Sequence, residues 1–149
     1  MTTRWPACAL ALCLAACSGG GAPADAGATD AIVAAMHATW DRPGQPLEAG
    51  PVVVAGDLAV ADWTQGEAGG RALLRRAGAG WETVLCAGDG IRTAEGLQAV
   101  GVPAEQAARL ARALADAERS VAPARLARMA RFAGVVRMDA GDDGHGAHH

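Results

Sequence analysis

The sequence contains no lysine, tyrosine or asparagine, a single phenylalanine, and only two serines, Ser18 and Ser120. These absences exclude a lysine Schiff base, a phosphate-binding lysine and a tyrosine acid, and they disfavour a serine hydrolase. Thirty-eight of the 149 residues are alanine, so a core must be built from Leu, Val, Trp and closely packed Ala. The length allows one domain. A net charge of −3 with few aromatic residues argues against general nucleic-acid binding.

The first sixteen residues have the pattern of a bacterial secretory signal. Arg4 precedes an uncharged apolar run at residues 7–16, which is too short for a membrane-spanning helix of about 20 residues. The run ends in Leu-Ala-Ala-Cys, which is similar to a lipobox and predicts that Cys17 is lipidated. An ordinary signal cleaved nearby is the alternative. We therefore expect a periplasmic lipoprotein anchored to a bacterial membrane, and Ser18 favours the outer membrane.

Residues 17–29 are predicted to form a flexible tether because, after the cysteine, they are all small or polar. A single α+β domain is expected over residues 30–138. Apolar spacing predicts an N-terminal helix at 31–40, and alternating segments predict a four-stranded antiparallel meander, with a loop at 66–70 before a strand at 71–76. Two to three C-terminal helices should then cover one sheet face. Residues 135–138 are a candidate for a last short strand.

Several blocks of this region together form a distinctive combination. They are PVVV at 51–54, GD at 56–57, WTQG at 63–66, GGRALL at 69–74, WETVLCAGD at 81–89, GVP at 101–103 and AE at 117–118. In combination they resemble the bacterial family labelled copper uptake system-associated protein, over roughly residues 31–138. The resemblance implies copper handling in the cell envelope, next to copper-acquisition proteins as partners. It implies no catalytic residues.

The C-terminal residues 139–149 are predicted to be a disordered tail rich in Asp and His. Three of the four histidines lie in the last five residues, and imidazole is a good ligand for Cu(II), Zn(II) and Ni(II). The neighbouring glycines, Gly144 and Gly146, allow the tail to fold around one ion. We predict a metal site for copper made by His145, His148 and His149, with Asp142 and Asp143 as further candidates. The alternative is a solvated tail with incidental metal affinity.

Cys86 is the only thiol that remains once the signal is removed and Cys17 is lipidated. Thiolate and thioether sulfur are the ligands that Cu(I) prefers, so Cys86 with Met138 is a candidate site, and Met36 and Met129 are further thioethers. A buried, inert thiol is the alternative. His37 is the only histidine inside the domain, and a Cys86–His37 pair would be the one plausible nucleophilic site.

These patterns predict a non-enzymatic envelope lipoprotein that assists copper uptake, either by binding copper or by docking on copper-acquisition proteins. The alternative is a metal-independent protein-interaction module in the periplasm. For that alternative the sequence offers seven arginines against three acids at residues 103–137, a net charge of +4.

Overall fold

The computed structural model describes residues 22–138, with side chains from residue 25. Four α-helices and five strands are joined by turns and loops, and a 3-10 turn at Asp89–Ile91 follows the fourth strand. In chain order the elements are α1 (Ala22–Trp40), β1 (Glu48–Ala55), β2 (Leu58–Gln65), β3 (Ala68–Ala77), β4 (Gly80–Ala87), α2 (Ala94–Ala99), α3 (Ala104–Glu118), α4 (Pro123–Ala130) and β5 (Val135–Arg137).

The strands form one antiparallel sheet in the order β1-β2-β3-β4-β5, so that each strand pairs with the next along the chain. Glycines begin the three tight hairpin turns: Gly56, Gly66 and Gly78 have φ of +66°, +57° and +55°. The residue after each of them is not glycine and has negative φ, as in type II′ turns, whose twist suits a two-residue hairpin. This confirms the predicted meander.

The sheet is buried on both faces. On one face, Val60, Leu73 and Leu85 pack with α2 and α3 in a first core. On the other face, Ala59, Ala61 and Ala72 pack with α1 in a second core. Because strand side chains alternate between faces, the small alanines form a shallow surface on which Ile32 and Met36 of α1 are almost completely buried.

The α+β class, the N-terminal helix and the C-terminal helices are confirmed, and α2 and α3 cover one sheet face as predicted, while α1 packs on the opposite face. Some details of the prediction are wrong. The sheet has five strands rather than four, since β5 pairs with β4. Finally, α1 begins at Ala22, so residues 22–29 of the predicted tether are helical. Alanine is the strongest helix former, and its abundance here outweighs the single glycine, Gly27.

Candidate functional site

An apolar cavity of about 360 Å³ lies on the α1 side of the sheet. Its walls include three sulfur-bearing side chains, Met36, Cys86 and Met138. Most of the remaining lining residues are large and apolar, and Arg42 and Gln65 are the hydrophilic ones. The full set of these residues is Trp40, Arg42, Leu47, Trp63, Gln65, Ala68, Phe132 and Val136. Such a concave, largely apolar pocket with a few special groups is the usual form of a binding site.

The three sulfur side chains of the cavity come from α1, from β4 and from the residue that follows β5. Met36 lies on the inner face of α1 and is 2% exposed, whereas Cys86 lies on β4 and is 7% exposed. Pairing of β5 with β4 sets Val136 opposite Cys86. The chain then continues to Met138, whose backbone N–H donates to the Val84 carbonyl at 2.8 Å. The pairing of β5 with β4 therefore decides whether Met138 reaches the cavity.

Burial controls the chemistry of the Cys86 thiol. Its removal from water raises the pKa of Cys86 to about 11, and the nearby Trp63 side chain offsets only part of this rise. A nucleophilic cysteine needs the opposite shift. His37 also lies outside this arrangement: it is partly exposed, and its Nδ1 is 3.0 Å from Oδ2 of Asp41. The geometry therefore gives no support to a Cys86–His37 nucleophilic pair.

The tryptophans divide between the core and the cavity. Trp81 is buried in the second core, with the Arg76 guanidinium 4.5 Å from its ring centroid. Trp63 meets Phe132 edge to face, with ring centroids 5.9 Å apart and planes at 83°, which fixes its ring at the cavity wall. The Trp63 indole Nε1 is buried without a hydrogen-bond partner in the part of the chain that the structure describes.

A second cluster, made of charged side chains, lies on the α3 side of the sheet. Arg71 is completely buried; its Nε lies 2.7 Å from Glu118 Oε1, and its Nη1 lies 2.9 Å from Asp89 Oδ1. Arg92 reaches the other oxygen of Glu118 at 2.7 Å. Asp62, opposite Arg71 in the β2–β3 pair, is separated from it by 3.6 Å. We call these five residues the ion network.

Asp62 is the weakly satisfied member of the ion network. It is completely buried, and neither of its carboxylate oxygens accepts a hydrogen bond within residues 22–138. Burial is the main cause that raises its pKa to about 7, and the Glu118 carboxylate raises it further, against the lowering effects of Arg71, Arg125 and Arg92. A protonated Asp62 leaves two carboxylates, Asp89 and Glu118, to balance two guanidiniums in the network.

Most of the sequence-predicted ligands lie outside the described residues: Cys17, Asp142, Asp143, His145, His148 and His149. Of the others, Cys86, Met138 and Met36 share the cavity, whereas Met129 is buried and is absent from its lining. Among residues 22–138, the structure shows no group of three or more His, Cys, Asp or Glu side chains placed to hold a metal ion.

Comparison with known proteins adds no relative: no family model, curated protein or solved structure matches the chain. The resemblance to the copper uptake system-associated family therefore stays a prediction. Within the described part of the chain, none of the helices has both the length and the apolar character needed to span a bilayer.

Proposed function

We propose that this protein is a cell-envelope lipoprotein that binds copper as an accessory to copper uptake. The copper site of its folded domain is the cavity lined by Met36, Cys86 and Met138, which we call the sulfur-lined cavity. The observation that carries the proposal is that Met36 of α1, Cys86 of β4 and Met138, the residue after β5, line one cavity. Thiolate and thioether ligands favour cuprous ion, and apolar walls exclude the water and oxygen ligands that favour harder ions.

The two termini keep the roles that the sequence predicts for them. Lipidation of Cys17 would hold the protein at a bacterial membrane beside copper-acquisition proteins. The histidines at 145, 148 and 149 would capture copper by imidazole. His145 is seven residues beyond Met138, a span of at most about 25 Å for extended chain. Since Met138 itself lines the cavity, this length is enough for the tail to approach the cavity mouth.

The proposal predicts that substitution of the cavity sulfurs weakens cuprous binding. The mature chain carrying Cys17→Ser is titrated anaerobically with Cu(I) against a chromophoric chelator, with His145, His148 and His149 replaced by alanine. Cys86→Ser should weaken binding by at least about a hundredfold, because a ligand counts for more than the outer-shell partners whose loss costs 10–100-fold. Met36→Leu and Met138→Leu should each cost about tenfold, or about 1.4 kcal/mol.

Met129→Leu is the matched control, since it makes the same nearly volume-conserving change at a buried methionine outside the cavity lining. It should leave the Cu(I) affinity unchanged. Copper binding that survives Cys86→Ser but requires the three tail histidines would remove the cavity from the mechanism and leave a copper-binding tail. Absence of binding in the unsubstituted chain would refute the proposal as a whole.

A metal-independent interaction module is the second candidate, and β5 is the observation that favours it. This three-residue strand forms one edge of the sheet, with Val135 and Val136 exposed by 46% and 47%. An edge strand with apolar side chains is a ready surface for pairing with another chain. Recovery of one specific envelope partner, unchanged by a copper chelator and lost with Val135→Lys, would favour this candidate over copper binding.

A further inference from the structure

We infer that the sulfur-lined cavity selects monovalent soft cations, Cu(I) and Ag(I), and rejects divalent ions because it supplies one anionic ligand and no more. This inference rests on the proposed function and adds to it the charge class of the ion. Three side chains make the proposed ligand set: Cys86 as thiolate, and Met36 and Met138 as neutral thioethers.

Charge balance is the first reason. When a cuprous ion binds, the Cys86 S–H bond breaks, a Cu–S bond forms, and the proton passes to solvent. The product, one thiolate with one monovalent cation, is electrically neutral. The same site with Zn(II) or Cu(II) carries an uncompensated positive charge, which is costly among apolar walls. No carboxylate lines the cavity in the part of the chain that the structure describes, and Arg42 adds positive charge.

The surroundings of the thiol are the second reason. The Trp63 indole N–H is a buried donor that has no partner within residues 22–138. It lies beside Cys86, and edge-to-face packing on Phe132 holds the ring in place. A thiolate formed on metal binding would accept from this N–H, as outer-shell donors commonly do for metal-bound thiolates. The cavity thus supplies one thiolate, from Cys86, and one hydrogen-bond donor, from Trp63, to stabilise its negative charge.

The test compares ions of different charge on the mature chain with Cys17→Ser and the three tail histidines replaced by alanine. Ag(I), which avoids redox chemistry, should bind one ion per chain and be displaced by Cu(I). Zn(II) should bind at least about a thousandfold more weakly, in keeping with the penalty for an unpaired buried charge. Zn(II) affinity within tenfold of that for Ag(I), dependent on Cys86, would overturn the inference and leave copper binding intact.

A gain of divalent binding gives a second and independent readout. Met138→Glu adds a second anionic ligand and should raise the Zn(II) affinity by at least about a hundredfold, since the complex with Cys86 thiolate then becomes neutral. Met138→Gln has nearly the same shape without the charge and should not. Equal Zn(II) affinities for these two variants would contradict the charge-balance argument. If neither Ag(I) nor Cu(I) binds the mature chain that carries only Cys17→Ser and the three tail substitutions, the proposed cavity site itself fails.

Discussion

Replacing Arg71 by methionine is expected to lower the free energy of unfolding by about 3–5 kcal/mol, the usual cost of removing one partner from a buried ion pair. The Arg71 guanidinium is completely buried between the carboxylates of Glu118 and Asp89, and Asp62 lies 3.6 Å away. Without it, the almost fully buried Glu118 keeps Arg92 as its one counter-ion among residues 22–138. Urea denaturation followed by tryptophan fluorescence measures the loss.

Arg92→Met is the matched control for this prediction. Arg92 contacts the same Glu118 carboxylate at 2.7 Å, but 42% of its side chain is exposed, so water can replace it. Its removal should cost about 1 kcal/mol, in the range of exposed pairs. Equal losses for the two variants would show that burial of the guanidinium does not govern the stability of the ion network.

Asp62→Asn is expected to become progressively more stable than the wild type as the pH rises from about 4 to 7. The pKa of Asp62 is raised from its ordinary 3.8 to about 7 in the folded protein, so between these values the folded state holds a proton that the unfolded state has released. Its contribution to stability is therefore fully present below about pH 4 and is lost as the pH approaches 7. The loss amounts to up to about 4 kcal/mol.

Asparagine has nearly the same shape and stays neutral, so the difference between variant and wild type isolates this one titration. Chemical denaturation at a series of pH values between 4.5 and 8 gives that difference. The exposed Asp116→Asn on α3 serves as the control, and its difference from the wild type should change far less. A difference for Asp62→Asn that is flat across the series would contradict the burial of an unsatisfied carboxylate.

The ion network was within reach of the sequence but was missed because of one turn. A two-residue turn begins at Gly66, so Gln65 pairs with Ala68 and Asp62 lies opposite Arg71. The sequence prediction placed a loop over residues 66–70 and started the next strand at Arg71, which hid this pairing. The available signal was Asp62, a charged residue at the inward-facing position that follows Leu58 and Val60 on β2.

The sulfur-lined cavity could not have been found in the same way. Alternation and turn residues predict the local meander, since both are properties of adjacent residues. The meeting of Met36, Cys86 and Met138 depends instead on α1 crossing the far face of the sheet and on β5 pairing with β4. A three-residue strand carries too little pattern to reveal its register, and the apolar face of α1 does not reveal which face of the sheet it covers.

The most direct measurement of the central claim is copper K-edge X-ray absorption of the Cu(I)-loaded mature chain with Cys17→Ser and alanine at the three tail histidines. The account predicts a cuprous edge and a first coordination shell made only of sulfur, with three scatterers that fall to two in Cys86→Ser where copper is retained. A shell dominated by nitrogen or oxygen, or a protein that retains no copper, would contradict it.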